Sequence, residues 1–328
     1  MKRKTAALAA ALAAMTLCLA GCGGGNAPAS SEPETQSETE APAEPAAQPE
    51  EEPAPAETED TAQASDTAVL VVSFGTSYND SRDITIGAVE NAIAEAHPEY
   101  EVRRAFTAQI IIDKLKERDG LEIDNVTEAL DRAVADGVQN LIVQPTHLMD
   151  GLEYMDLMAE LGEYKEDFSS ISVGDPLLTS DADFEGVITA ITDATKEYDD
   201  GETAIVFMGH GTEAESNQVY TTMQDKLAAG GFENYYIGTV EAEPSLDTVV
   251  SALKENGTYK KVVLEPLMVV AGDHANNDMA GDEEDSWKTA LEAEGYEVEC
   301  LLRGLGELEG IQKIYVEHME QASADKLN

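Results

Sequence analysis

From residue 67 onward, short β-branched runs alternate with stretches of helical spacing, and that alternation restricts the chain to few folds. The runs at 68–74 (AVLVVSF), 100–106, 140–144 and 170–173 read as buried strands. Helical spacing runs through 80–96, 110–118, 126–135 and 152–164. The pattern then repeats, with strands predicted at 203–208, 234–240, 260–265 and 297–302 and helices at about 214–229, 246–256, 282–294 and 308–324. Strands that alternate with helices pair in parallel and are covered on both faces. The fold class expected is therefore α/β.

The halves also look like each other. AVLVVSFGTS (68–77) resembles TAIVFMGHGT (203–212), and Thr76 is paired with His210 across the two runs. RRAFTAQ (103–109) lies over IGTVEAE (237–243), which sets Thr107 against Glu241. LIVQPTHLMDG (141–151) lies over VVLEPLMVVAGDH (262–274), with Pro145 against Pro266. A duplicated unit follows. It predicts two pseudo-symmetric subdomains, 67–200 and 201–328, each a parallel sheet flanked by helices.

The residues before 67 cannot join that core. Lys2, Arg3 and Lys4 precede an Ala/Leu-rich stretch too short to span a bilayer, so 1–22 reads as a signal peptide. It ends in Leu19-Ala20-Gly21-Cys22, a lipobox whose cysteine would be lipidated. Residues 23–66 hold seven of the 12 prolines, 12 acidic residues and no Lys or Arg, the composition of a disordered linker. The expected location is extracytoplasmic, anchored to the bacterial membrane through Cys22. The rest carries 54 Asp/Glu against 17 Lys/Arg, in a chain of net charge −46, which excludes nucleic acid as a partner. Three cysteines, two of them before residue 23, supply no disulfide framework. Nothing in these residues excludes a homo-oligomer.

Ligands of open parallel sheets bind beyond the carboxyl ends of the strands. There the second half offers His210, Glu241 and His274 after three successive predicted strands. Two imidazoles and a carboxylate suit a borderline divalent ion with open coordination positions. Alternatives stay open: Glu241 as a cap for the helix near Ser245, or Glu243 in its place. Gly209 and Gly211 flank His210 and would let a flat ligand approach closely. Candidate substrate contacts are Ser73, Gly75, Thr76, Arg104, His147 and Gly209. His97 and His318 fall on solvent-facing helical patterns. No GxGxxG, Walker lysine or GxSxG is present, which argues against dinucleotide, P-loop and serine-hydrolase chemistry.

VVSFGTSYNDSR, RRAFTAQIIIDKLKERDG, FMGHGTE, GTVEAEPSLD and LMVVAGDHANNDMAGDEEDSWK together resemble the anaerobic-type sirohydrochlorin cobaltochelatases. The resemblance implies a class II chelatase fold with a tetrapyrrole in the cleft between the subdomains. It also implies insertion of a divalent metal, usually Co2+ with Fe2+ or Ni2+ open, into sirohydrochlorin without ATP or an organic cofactor. The family's catalytic and metal-binding His, Glu and His fall on His210, Glu241 and His274.

On this reading His210 accepts a pyrrole proton, His274 binds the ion and Glu241 balances its charge. The acidic run Asp282–Asp285 reads as the first turn of a helix, with a hydrated cation path through Asp278 as the alternative, and Trp287 reads as core. Sirohydrochlorin is rimmed with carboxylates, so cations are needed near the cleft, and Arg82, Arg103, Arg104 and Lys114 are the candidates. Export leaves a second reading open, a haem- or metal-binding scavenging lipoprotein on the same fold, because cobalamin precursors are made inside the cell.

Overall fold

The computed structural model describes residues 66–327. The expected signal segment with Cys22, and the expected linker except Asp66, lie outside the described residues.

β1 (Thr67–Ser73) leads through α1 (Asn79–Ile84) and α2 (Ile86–Ala96) to β2 (Glu101–Phe106). Then come α3 (Gln109–Asp119), α4 (Val126–Ala135), β3 (Asn140–Pro145), α5 (Leu152–Glu163), β4 (Ser170–Val173) and α6 (Asp181–Ala194). The second half runs β5 (Thr203–Gly209), α7 (Gln218–Ala229), β6 (Tyr235–Thr239), α8 (Leu246–Asn256), β7 (Lys261–Pro266), α9 (Trp287–Ala293), β8 (Glu297–Cys300) and α10 (Glu309–Glu320). Two four-stranded sheets result, ordered β2-β1-β3-β4 and β6-β5-β7-β8, and every pair in them is parallel. The expected α/β class and the duplication are both present.

The period-two geometry of a strand explains how these sequences fill three layers of core. Val69 and Val71 of β1 join Ile205 and Phe207 of β5 in one cluster with Val89, Ile191 and Tyr315, so the sheets share a core under α2, α6 and α10. The alternate residues Leu70 and Val72 pack outward with Leu130 and Leu157 of α4 and α5. Val206 and Met208 do the same with Leu253 and Leu291 of α8 and α9. Strands buried on both faces need continuous apolar runs, and that is what the sequence supplies.

Two differences from the sequence reading have local causes. The helix expected over 80–96 is broken at Thr85, whose ψ is −78° and whose hydroxyl donates to the Ser81 carbonyl. Gly304 and Gly306 press against Thr85 so closely that a Cβ at either would lie within 3.0 Å of it. The second difference is α6, for which no helical pattern was read. Its signal was a capping box: the Ser180 side chain accepts from the Asp183 N–H while the Asp183 carboxylate accepts from the Ser180 N–H.

The ladders also correct the alignment of the halves. Val72 lies opposite Pro145 and Met208 opposite Pro266, so Val72 and Met208 are equivalent. Counting on, Phe74, not Thr76, corresponds to His210. The next turn agrees, with φ of +98° at Gly75 and +88° at Gly211. Ala108 donates its N–H to the Phe74 carbonyl (3.2 Å) as Glu241 does to that of His210 (2.9 Å), so Ala108, not Thr107, corresponds to Glu241. The sequence pairing followed residue likeness, whereas equivalence is set by the hydrogen-bonded register.

Candidate metal site

Three strands of the second sheet deliver the three predicted ligands to one point. His210 directly follows β5, Glu241 follows β6 by two residues, and His274 ends the turn after β7. One donor atom from each lies within 4.8 Å of the others. The two imidazoles meet edge to face with centroids 4.7 Å apart. The backbone achieves this only with glycine beside His210. A Cβ at Gly209 would meet the Tyr220 ring at 2.2 Å, and one at Gly211 would meet the Ala242 nitrogen at 2.8 Å.

Hydrogen bonds fix which nitrogen each imidazole offers. His210 Nδ1 lies 2.8 Å from the Gly211 carbonyl oxygen, which can only accept, so the neutral ring carries its proton there. His274 Nδ1 lies 2.7 Å from the Asp278 carboxylate, one turn on in the π-helical segment Ala275–Met279. Both rings are left with a free Nε2 lone pair. Asp278 behind His274 is the carboxylate–histidine arrangement that orients a metal-binding imidazole.

The rival roles for nearby acids separate cleanly. Glu243 accepts from the Ser245 N–H at 2.9 Å and the Thr248 hydroxyl at 2.8 Å, so it tends the start of α8. Those bonds hold its carboxyl below the usual range. Glu241 is thereby free of capping, and its Oε2 lies 3.9 Å from His210 Nδ1. The acidic run 282–285 is not a helix first turn, because Ser286 caps α9 and the helix starts at Trp287. It forms an exposed turn after the π-helical segment, with Asp282 held 2.9 Å from Lys288. Trp287 is core, packed with Leu253 and Leu291.

The facing edge of the first sheet contains a group the sequence reading missed. Glu153, in the first turn of α5, is raised above the ordinary carboxylate range because the surrounding wall strips part of its hydration, although solvent still reaches it. Positive charge on His210 pulls the other way, which places the two groups within each other's field. The signal was in the third alignment: extended two residues past Gly151 and Gly272, it sets Glu153 against His274.

The other predicted contacts are distributed differently. Ser73, Gly75, Thr76 and Gly209 are buried beneath the edge, and the Ser73 hydroxyl accepts from Thr146 at 2.7 Å. The exposed residue at the end of β1 is Phe74. His147 is buried against Tyr154, and neither ring nitrogen has a hydrogen-bond partner among the described residues. Burial lowers its pKa to about 4.

The expected cleft cations are corrected as well. Arg104 sits within β2 and is clamped by both oxygens of Glu90, and Arg103 bridges Glu101 and Asp136. Arg82 is buried and bonds Asn79. All three are held by partners inside the first half, and Lys114 is an exposed residue of α3. His318 is not solvent-facing: it is buried between the Asp183 carboxylate (3.0 Å) and the Asp175 carbonyl (3.1 Å). His97 caps the end of α2 and bonds Glu320.

Comparison with known proteins places the chain in a family. Residues 67–324 match the cobalt chelatase (CbiK) family. A sirohydrochlorin cobaltochelatase of Salmonella typhimurium is 38% identical over 255 residues, covering 78% of this chain and 96% of that protein. The sirohydrochlorin cobaltochelatase CbiKC of Nitratidesulfovibrio vulgaris is 33% identical over 256 residues, covering 77% and 89%. Among solved structures, SirB from Bacillus subtilis with Fe3+ shares the fold, with a TM-score of 0.54 at 14% identity over 79% of this chain and 96% of that one. Matched from β1 to the segment after α10, this chain belongs to the cobalt chelatase family.

Proposed function

We propose that the chain inserts a divalent metal, Co2+ foremost, into sirohydrochlorin. The observation that carries this reading is the convergence of His210, Glu241 and His274 on one point at an accessible sheet edge. The family and the names of the two relatives support the same reaction.

Metallation exchanges a pair of pyrrole N–H protons for one divalent cation, so the site must hold a cation and accept protons. His274, braced by Asp278, and Glu241 bind the incoming ion. His210 offers a neutral Nε2 to a pyrrole proton, which suits imidazole near neutral pH. Glu153, with its raised carboxyl and its charge coupling to His210, receives that proton in turn, which frees His210 to accept the second pyrrole proton. Water must leave the ion as macrocycle nitrogens replace it, which three protein donors with open positions beside them permit.

The test is anaerobic metallation of sirohydrochlorin, followed by its absorption change with Co2+, Fe2+ and Ni2+ in turn. The reading predicts a rate well above the protein-free reaction and greatest with Co2+. Tight tetrapyrrole binding without acceleration by any of the three would replace it with the scavenger reading. We also infer export and tethering through Cys22, supported by the basic start, short apolar core and lipobox of residues 1–22.

A further inference from the structure

Large apolar side chains exposed one at a time need no explanation. Here they gather. Of the seven that stay exposed among the described residues, Phe74, Ile110, Leu152 and Met155 lie at the carboxyl edge of the first sheet. Phe74 follows β1, Ile110 is the second residue of α3, and Leu152 and Met155 lie on the first turn of α5. Ile110, Leu152 and Met155 are 74%, 59% and 60% exposed. The pseudo-symmetry gives this edge its meaning. Phe74 holds the position of the ligand His210, and Leu152 that of Asp273, so one half carries donors where the other carries hydrocarbon. Tyr78, four residues past Phe74, donates its hydroxyl to Asp273 at 3.4 Å, and a Cβ at Gly272 would lie 3.4 Å from Thr76 Oγ1, so this edge abuts the turn that carries His274.

Charge narrows what this edge can hold. The protein has a net charge of −46, and the arginines of β2 are clamped by Glu90, Glu101 and Asp136. Of the four cations considered only Lys114 is exposed, so a carboxylate-rimmed macrocycle gains little grip there through its rim. Its conjugated face is apolar and flat. We propose that Phe74, Ile110, Leu152 and Met155 form a platform for one face of the tetrapyrrole, leaving the carboxylate rim in solvent and the other face toward His210, Glu241 and His274. This rests on the proposed function and names the residues that recognise its organic substrate.

The test titrates metal-free sirohydrochlorin into the full chain and into Phe74→Asn and Leu152→Asn, following tetrapyrrole fluorescence. Co2+ binding without tetrapyrrole is measured calorimetrically on the same proteins. Both side chains are exposed, so thermal melts should be unchanged. Each substitution removes burial of a large apolar side chain and should weaken sirohydrochlorin binding about tenfold. Co2+ affinity should stay within twofold of wild type, and Phe74→Leu should retain most of the tetrapyrrole affinity. Raising salt should leave wild-type binding unchanged or tighter, because screening relieves like-charge repulsion. Steep weakening with salt would reveal a cationic grip and overturn the platform. Wild-type affinity in both Asn variants, with metallation intact, would overturn the platform alone. A wild-type chain that binds no sirohydrochlorin would overturn the platform and the proposed function together.

Discussion

Asp278 lies outside the candidate ligand set but bears directly on it. Its carboxylate holds His274 Nδ1 at 2.7 Å, which fixes the ring and leaves Nε2 for the ion. Removing that bond should loosen the ring's orientation, and such partners typically contribute 10- to 100-fold in metal affinity. Asp278→Asn should therefore weaken Co2+ binding about tenfold or more in a calorimetric titration while sirohydrochlorin binding holds. Undiminished Co2+ affinity would mean the ring needs no brace. The three candidate ligands were legible in sequence because each follows an apolar run that reads as a buried strand. Asp278 was read as part of an acidic row, since its one-turn spacing from His274 gains meaning only once residues 275–279 are helical. Phe74 was missed for the opposite reason. Apolar residues at strand ends look like core, and only the turn at Gly75 shows that Phe74 points away from it.

At the scale of elements, strands were easier to read than their surroundings. β4 lies where the sequence places it, at Ser170–Val173, because Ile171 and Val173 alternate with serines and enter the core from one face. Helices that depend on partners were harder. The break between α1 and α2 comes from Gly304 and Gly306, more than two hundred residues away in sequence. The turn after β3 offers a direct test of what burial does. The His147 ring is buried with no hydrogen-bond partner among the described residues, where the second half has Met268. Both carbonyls accept at 2.9 Å, from Leu177 and Leu305. Burial holds the His147 ring neutral down to about pH 4, against an ordinary value of 6.5. Between those values the unfolded chain binds more protons, so stability falls as pH drops from 6.5 toward 4. The shift corresponds to about 3 kcal/mol across that window. His147→Met should remove that part of the acid sensitivity, seen as a smaller loss of urea midpoint between pH 7 and pH 4.5. An unchanged loss would show that His147 titrates normally.

At the scale of the whole molecule, one duplicated unit has been put to two uses. Identical strand orders face their carboxyl edges toward the cleft, one edge furnished with donors and the other with apolar side chains and Glu153. Residues 23–66, with seven prolines, 12 acidic residues and no Lys or Arg, are expected to add nothing to the shared core. A chain beginning near Asp66 should therefore melt within a degree or two of the full chain and metallate at the same rate, while Cys22→Ala should leave the membrane fraction with activity intact. The central claim is that the second sheet's edge performs the metal insertion, and His210 tests it most directly. With sirohydrochlorin saturating and Co2+ supplied anaerobically, His210→Ala should metallate about 100-fold or more slowly than wild type, the usual scale for a lost proton acceptor. Its sirohydrochlorin affinity should remain within a few-fold. Wild-type metallation by His210→Ala would contradict the account.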